Sequence, residues 1–178
     1  MRVFIGVDLS KEMKDYLFGL ERELRVLPAK IKFVDKKSLH ITLKFLGEIS
    51  EDKLEEIKIK LKEVKSKKFK IKLNDTGIFP GEHFIKIIWV GLEPAKDLIE
   101  LHRKVDSELM EFKEEFEFKA HLTLGRVKLV KDKIKFLEII KKVKIKPIEF
   151  EIDSFKLFSS VLSKDGPQYT VLENYILD

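Results

Sequence analysis

Two copies of one short pattern, a histidine and a threonine separated by a single aliphatic residue, are the most constraining feature of this 178-residue chain. They are His40-Ile41-Thr42 and His121-Leu122-Thr123, and each lies in an apolar run. In a β-strand, residues i and i+2 point to the same face of the sheet. Each run is therefore predicted to be a strand with a histidine and a threonine on one face and large aliphatic side chains on the other.

The elements around the two motifs repeat in the same order. Each motif strand is followed by a residue typical of a helix N-cap, Ser50 in one case and Asp132 in the other. Hydrophobic periodicity predicts strand, helix, strand, helix, hairpin, helix, strand, helix, hairpin. The last hairpin is predicted to pair residues 145–161 with residues 169–177 around a Gly166-Pro167 turn. This order indicates an α+β fold with an internal duplication, in which two lobes are related by a pseudo-twofold axis and the two motifs face each other.

Composition narrows the class of protein. The chain has no cysteine, which excludes a disulfide scaffold, a thiol nucleophile and a cysteine zinc site. No apolar run approaches the ~20 residues of a membrane helix. Residues 1–9 have the pattern of a strand rather than of a signal peptide. We therefore expect a cytoplasmic protein with no membrane association, and residues 1–178 are expected to form one bilobal domain.

Charge indicates the kind of partner. Charged residues make up 38% of the chain, and the abundance of lysine and glutamate is typical of proteins from hyperthermophiles. The formal net charge is +5, which favours a polyanionic partner, above all RNA. The alternative is that the excess lysine forms only a solvated surface, and composition does not decide between the two.

The paired motifs suit acid–base chemistry on a phosphate ester. Because the ordinary pKa of histidine is about 6.5, one imidazole can be neutral while another is protonated near pH 7. The neutral ring can accept a proton from water, and the protonated ring can deliver one to a leaving alkoxide. Threonine hydroxyls can donate hydrogen bonds to phosphate oxygens without adding charge. Phosphoryl transfer depends mainly on such positioning and charge stabilisation.

The sequence also bears on the two remaining histidines and on a metal site at the motif histidines. His83 follows the Pro80-Gly81-Glu82 segment and is predicted to be exposed in a turn, whereas His102 lies beside the apolar stripe of a helix and is predicted to be structural. A metal site at His40 and His121 is disfavoured because threonine is a poor ligand and neither motif has HxH or HExxH spacing. We expect no metal and no cofactor.

Two basic residues near the motifs are candidate phosphate ligands. Strict strand alternation places Lys44 on the same face as His40 and Thr42. The same alternation turns Arg126 away from His121, unless Gly125 marks a bulge that turns it back. An arginine there could hold phosphate bidentately. For both residues, a plain surface position is the alternative.

The motifs resemble the signatures of the two-histidine (2H) phosphoesterases. Within that superfamily the chain is similar to the RNA 2′,3′-cyclic phosphodiesterases of archaea and bacteria, historically called 2′-5′ RNA ligases. The resemblance extends from end to end. It rests on HITLKFLG at 40–47, HLTLGR at 121–126, RVFIGVD at 2–8, GIFP at 77–80, WVG at 89–91 and GPQY at 166–169.

The resemblance implies a bilobal fold with two antiparallel-rich sheets in a V, helices on the outside and an active-site cleft between the lobes. It implies metal-independent opening of a 2′,3′-cyclic phosphate to a 2′-phosphate with loss of the bond to O3′. Carried over, His40 is the proton donor and His121 the proton acceptor, while Thr42, Thr123 and Arg126 bind the substrate. The pattern itself does not distinguish the roles of the two histidines. Tyr169 is either a residue of the nucleotide pocket or part of the core.

The resemblance implies a substrate that is either an RNA with a 2′,3′-cyclic phosphate end, such as a tRNA half, or a cyclic nucleotide. The enzyme is expected to act as a monomer. Three other activities remain open. The same groups could join RNA ends through a 2′-5′ linkage, with a 5′-hydroxyl in place of water. The chain could instead be a non-catalytic RNA-binding module, or a phosphodiesterase for small cyclic nucleotides.

Overall fold

The computed structural model describes residues 1–113, 117–164 and 166–178. Its nine strands, within those ranges, are β1 Arg2–Asp8, β2 Ala29–Phe33, β3 His40–Glu48, β4 Phe69–Gly81, β5 Phe84–Glu93, β6 His121–Val130, β7 Glu149–Ile152, β8 Ser154–Ser163 and β9 Gly166–Ile176. Its four helices are α1 Lys11–Glu23, α2 Glu51–Lys62, α3 Lys96–Glu108 and α4 Lys133–Lys142. The predicted N-caps are confirmed, since Ser50 and Asp132 accept hydrogen bonds from the backbone amides of Lys53 and Lys135.

The strands form two separate sheets, each with antiparallel pairing throughout. One has four strands in the order β3-β1-β8-β9, and the other has five in the order β2-β6-β5-β4-β7. One motif strand lies in each sheet. The predicted α+β architecture with two antiparallel sheets is confirmed.

The two sheets do not correspond to the two halves of the sequence. The strand that follows α2, β4, pairs with β5, whereas β8 near the end of the chain pairs with β1. Each sheet therefore contains segments from both halves. Such an exchange joins the lobes through the chain itself, and residues from both sheets and all four helices share one hydrophobic core.

The predicted strand over residues 145–161 is wrong. The structure has two strands there, β7 and β8, which separate at Asp153 and belong to different sheets. The reason is visible in the alternation: Ile152 is buried before the break, and Phe155 and Leu157 are buried after it, so the inward parity changes from even to odd numbers. One strand cannot bury both sets on one face. The predicted Gly166-Pro167 turn is also displaced, because β9 already begins at Gly166.

An ion pair that involves a buried lysine holds the first motif strand, β3, against α3. The side chain of Lys44 is fully buried and its ammonium group contacts Asp106, whose side chain is 45% exposed. On the same helix, Nδ1 of the buried His102 contacts the carbonyl oxygen of Leu43 at 3.0 Å. His102 is therefore structural, as predicted, and α3 fixes the middle of β3 at two adjacent residues.

We predict that Asp106→Ala strongly destabilises the protein, because it leaves the Lys44 ammonium buried without its carboxylate partner. Breaking a fully buried pair typically costs about 3–5 kcal/mol, and the half-exposed carboxylate of Asp106 places the expected loss below that range. The double variant Lys44→Met with Asp106→Ala should recover most of that loss, since methionine fills the space without charge. The measurement is the free energy of unfolding from urea titration.

The control is Glu100→Ala on the same helix, which removes an exposed pair with Lys104 at 2.9 Å and should have little effect. Equal losses in Asp106→Ala and in the double variant would show that the ion pair is not what holds β3 to α3.

Candidate active site

A cavity of about 580 Å³ lies between the two sheets and contains both motifs. Its lining includes all four motif side chains, contributed by β3 and β6. These four side chains are those of His40, Thr42, His121 and Thr123. Arg126 and Tyr169 also line it. The structure thus brings together, from two sheets, the two histidines, the two threonines and Arg126, whereas Lys44, the other candidate phosphate ligand, does not line the cavity.

Both motif strands carry a β-bulge at the same position of the pattern. On β3, Thr42 pairs with Gly6 and Lys44 with Ile5, so Leu43 has no partner on β1. On β6, Thr123 pairs with Trp89 and Gly125 with Ile88, so Leu124 has no partner on β5. A bulge of this kind lets two consecutive residues face inward and reverses the alternation beyond them.

The bulge on β6 turns Arg126 into the cavity. Leu124 and Gly125 are both buried, and Arg126 returns to the face of His121 and Thr123. A side chain could not replace the hydrogen of Gly125, because a Cβ there would lie 2.9 Å from Cγ2 of Ile31 and 3.1 Å from Cδ1 of Phe33. The role that sequence reasoning assigned to Gly125 therefore matches the structure.

The bulge on β3 has the opposite consequence for Lys44, and the prediction that this residue faces the phosphate site is wrong. Leu43 and Lys44 both point into the core, and Phe45 takes the position on the cavity that corresponds to Arg126 on β6. Phe45 is 64% exposed and lines the cavity. Sequence reasoning missed it. A bulge at Leu43, equivalent to the one that Gly125 indicates on β6, would have placed Phe45 on the cavity.

The imidazole of His40 is held by two hydrogen bonds. Its Nδ1 lies 2.7 Å from the carbonyl oxygen of Ser38, and its Nε2 lies 2.9 Å from Oγ1 of Thr42. Burial lowers the pKa of His40 below its ordinary value of 6.5, against the opposing effects of the Ser38 carbonyl and the Asp8 carboxylate. Asp8 itself is bound by two ammonium groups, Lys14 at 2.8 Å and Lys156 at 3.0 Å.

The imidazole of His121 is held at one nitrogen. Its Nδ1 lies 2.7 Å from the carbonyl oxygen of Lys119, and this is the only hydrogen bond of the ring within the described ranges. Burial lowers the pKa of His121 as well, and the positive charge of Lys119 acts in the same direction. The two histidines therefore differ in their charged neighbours: the Asp8 carboxylate and the Lys14 ammonium group act on the pKa of His40 in opposite directions, with the carboxylate having the larger effect, whereas the Lys119 ammonium group acts on that of His121.

These contacts determine the tautomer of both rings. A carbonyl oxygen can only accept, so Nδ1 must carry the hydrogen in each histidine. In the neutral form, Nε2 of each ring is then a free base, and at His40 it accepts a hydrogen bond from the Thr42 hydroxyl. In the protonated form, Nε2 carries the proton that an acid would deliver. Each ring is thus oriented to exchange a proton through Nε2.

Aromatic side chains surround each imidazole. The ring of His40 lies 4.8 Å from that of Phe4 and 5.2 Å, edge-on, from that of Tyr169. The ring of His121 lies 5.0 Å, edge-on, from that of Phe79. Such apolar walls exclude water from one side of each ring, which explains the lowered pKa values. Tyr169, left between pocket and core by the sequence, is half-buried and lines the cavity.

A glycine supports the wall beside His121. Trp89 lies 6.2 Å from His121 between ring centroids, and its indole packs directly over Gly77 on the neighbouring strand. Any Cβ at Gly77 would overlap the indole. The GIFP and WVG segments, noted in the sequence without a role, therefore build this wall.

The remaining sequence candidates lie outside the cavity. His83 is exposed in the turn between β4 and β5, as predicted. In residues 1–113, 117–164 and 166–178, no group of three or more acidic or histidine side chains is arranged to hold a metal ion. No helix in these ranges is both long and apolar enough to span a membrane.

Comparison with known proteins assigns a family. The family model described as LigT like Phosphoesterase matches residues 7–89 and 90–169. Each matched segment contains one of the two motifs, which supports the internal duplication predicted from their spacing.

Named relatives match the chain over nearly its full length. An RNA 2′,3′-cyclic phosphodiesterase of Methanocaldococcus jannaschii is 37% identical and covers 98% of this chain and 100% of its own. One of Methanothermobacter thermautotrophicus is 31% identical and covers 99% of each. The relatives include thermophile proteins, in keeping with the composition.

Solved structures share the fold. TT0787 of Thermus thermophilus superposes with a TM-score of 0.78 at 26% identity, covering 99% of this chain and 97% of its own. LigT of Escherichia coli, solved with 3′-AMP, has a TM-score of 0.80 at 24% identity with the same coverage.

We predict that the pKa values of His40 and His121 lie below 6.5 in the free protein and rise when inorganic phosphate is added. The direction in the free protein follows from burial. A phosphate dianion in the cavity would favour the protonated rings by direct charge attraction. The measurement is an NMR titration of the imidazole signals with and without phosphate, and the histidines are assigned by single substitutions.

Below pH 6.5 the folded protein then binds fewer protons at these rings than the unfolded chain does. Their contribution to stability is accordingly present above pH 6.5 and declines as the pH falls through the folded-state pKa values. Titration curves that phosphate leaves unchanged at both histidines would contradict a phosphate site at this cavity.

Proposed function

Since this chain belongs to the LigT-like phosphoesterase family, we propose that it hydrolyses the 2′,3′-cyclic phosphate at the end of an RNA strand to a 2′-phosphate. The relatives that match it end to end are named for that activity. The observation that carries the proposal is the pair of imidazoles on one cavity, each with Nδ1 bound to a backbone carbonyl and Nε2 left for proton transfer.

The reaction needs one base and one acid on opposite sides of the phosphorus. A water molecule attacks the phosphorus and gives a proton to Nε2 of the base. The bond between phosphorus and O3′ breaks, and O3′ takes the proton from Nε2 of the acid. The products are a 2′-phosphate and a 3′-hydroxyl, and exchange with solvent restores both rings. Acid and base assistance of this kind is worth about 10²–10⁴-fold each.

His40 is proposed as the proton donor and His121 as the proton acceptor. The carboxylate of Asp8 favours a positive charge on His40 more than the nearby Lys14 ammonium group disfavours it, whereas Lys119 disfavours a positive charge on His121. A second feature supports the same assignment. When Nε2 of His40 is protonated, it no longer accepts from Thr42 and the threonine hydroxyl can donate to the phosphate instead. The state in which His40 can donate its proton is therefore also the state in which the Thr42 hydroxyl can bind the substrate.

The phosphate oxygens are proposed to be bound by Thr42, Thr123 and Arg126. The two hydroxyls come from opposite sheets and can donate to different non-bridging oxygens. The guanidinium of Arg126, on the same face of β6 as Thr123, can offset the negative charge that develops as the P–O3′ bond breaks. No step in this scheme requires a metal ion.

The active unit is proposed to be a single chain, with residues 1–178 acting as one bilobal domain, because one chain supplies every motif side chain of the cavity. An RNA with a cyclic phosphate end, such as a tRNA half, is the proposed partner. The cytoplasmic location predicted from the sequence stays a prediction.

The decisive experiment is incubation of an RNA oligonucleotide ending in 2′,3′-cyclic phosphate with wild type, His40→Ala and His121→Ala, in excess EDTA. We predict a 2′-phosphate product from wild type and a loss of about 10²–10⁴-fold in kcat for each variant. His83→Ala, at an exposed histidine outside the cavity, should retain full activity. A 3′-phosphate product, or activity that EDTA abolishes, would contradict the mechanism. A 2′-5′ linked product formed only with added 5′-hydroxyl RNA would assign ligation instead.

A leaving-group substitution separates the acid from the base. In a substrate whose O3′ is replaced by sulfur, the leaving thiolate needs no proton. His40→Ala should then regain most of its activity, while His121→Ala stays inactive because water still lacks its base. Rescue of His121→Ala alone would reverse the two roles.

Arg126→Ala is predicted to lower kcat/KM by about 10- to 100-fold, the range of a lost charge-assisted hydrogen bond. Arg103→Ala, at an exposed position on α3 away from the cavity, is the matched control. Initial rates on the same cyclic-phosphate RNA measure the effect, and circular dichroism checks the fold. Equal rates for the two variants would remove Arg126 from the site.

A further inference from the structure

One wall of the cavity carries more positive charge than a single cyclic phosphate uses. Lys32, Arg126 and Lys128 all line it, and Lys32 lies directly opposite Arg126 in the pairing of β2 with β6. Paired residues on neighbouring strands are about 5 Å apart, and residues i and i+2 of a regular strand are about 7 Å apart. Lys128 is the bulged residue of β6 opposite β2, and it nevertheless lines the same cavity as Arg126. Three cations therefore lie within a distance that two neighbouring phosphate groups of one strand could span.

These cations lack the carboxylate partners that lysines on the other side of the site have. Among the residues that the structure describes, no Asp or Glu oxygen lies within 4.0 Å of the charged nitrogens of Lys32, Arg126 or Lys128. By contrast, Lys14 and Lys156, near His40, share the carboxylate of Asp8 as an ion-pair partner. Asp35 also lines the cavity but leaves a net charge of +2 on these four residues. Like charges placed this close repel one another unless an anion lies between them.

We propose that Lys32 and Lys128 form a second phosphate subsite, which binds the phosphodiester between the last two nucleotides of the substrate. This inference rests on the proposed function. Arg126 then serves the cyclic phosphate, and the two lysines serve the next phosphate along the strand. Because the two lysines line the same cavity as Arg126, a strand whose cyclic end is held at Arg126 can bring its next phosphate to them. The enzyme accordingly prefers an oligonucleotide to a mononucleoside 2′,3′-cyclic phosphate.

The test compares three substrates: a mononucleoside 2′,3′-cyclic phosphate, a dinucleotide with the same cyclic end, and that dinucleotide with a neutral methylphosphonate linkage. For wild type, kcat/KM on the normal dinucleotide should exceed that on the other two by about 10- to 100-fold. The advantage should fall with salt, with a slope of about 0.7 per phosphate on a logarithmic plot.

The protein arm uses two double variants of equal charge change. In Lys32→Ala with Lys128→Ala, the ratio of kcat/KM between normal and methylphosphonate dinucleotides should fall towards one. In Lys30→Ala with Lys131→Ala, at exposed lysines of the same region that do not line the cavity, that ratio should stay at the wild-type value. The control removes the same net charge, so a long-range field would affect both variants equally.

The outcomes separate this inference from the function on which it rests. Turnover of all three substrates by wild type at similar kcat/KM would overturn the second subsite and leave the proposed function intact. An equal fall in the ratio for both double variants would also overturn it, because general charge would then explain the preference. If wild type turned over none of the substrates, the proposed function would be wrong and the subsite would fall with it.

Discussion

The site depends on one extra residue in each motif strand. Leu43 and Leu124 have no partner on the neighbouring strand, so the backbone carbonyl of each needs a donor from elsewhere. The structure supplies one in both places: Nδ1 of His102 at 3.0 Å from Leu43 and the amide of Val34 at 2.8 Å from Leu124. The bulge lets a strand keep histidine and threonine on the cavity, bury two consecutive residues, and return the next side chain to the cavity.

The two motif strands are related by a pseudo-twofold axis, but the side chains around them differ in their chemistry. The same bulge places Phe45 on one wall and Arg126 on the other, so one wall is aromatic where the other is cationic. The charged neighbours of the histidines also differ, because His40 is affected by the Asp8 carboxylate and less strongly by the Lys14 ammonium group, whereas His121 is affected by the Lys119 ammonium group. Duplication supplies two equivalent imidazoles, and these local differences are what allow one to act as an acid while the other acts as a base.

The sequence was most informative where alternation is regular. Both motif strands and their caps follow from local patterns that tertiary contacts do not override, whereas the two-sheet architecture was implied by the family resemblance. It was least informative where a single residue shifts the phase. Strict alternation placed Lys44 on the cavity because nothing local marks a bulge after Leu43, whereas Gly125 signalled the equivalent bulge on β6. At Asp153 the change of inward parity is present in the sequence, but the apolar and polar residues alternate on both sides of it, which favoured a single strand.

The exchange of strands between the sheets explains why two lobes can hold one precise site. If each half of the chain formed its own sheet, the distance between the two imidazoles would depend only on side-chain contacts across the cleft. Because β4 pairs with β5 and β8 with β1, backbone hydrogen bonds tie each half of the chain to the sheet that carries the other motif. These ladders lie within each sheet and hold its motif strand in place, while the shared hydrophobic core packs the two sheets against each other. The relative position of His40 and His121, on which the proposed reaction depends, therefore rests on the chain topology and the common core as well as on the motifs themselves.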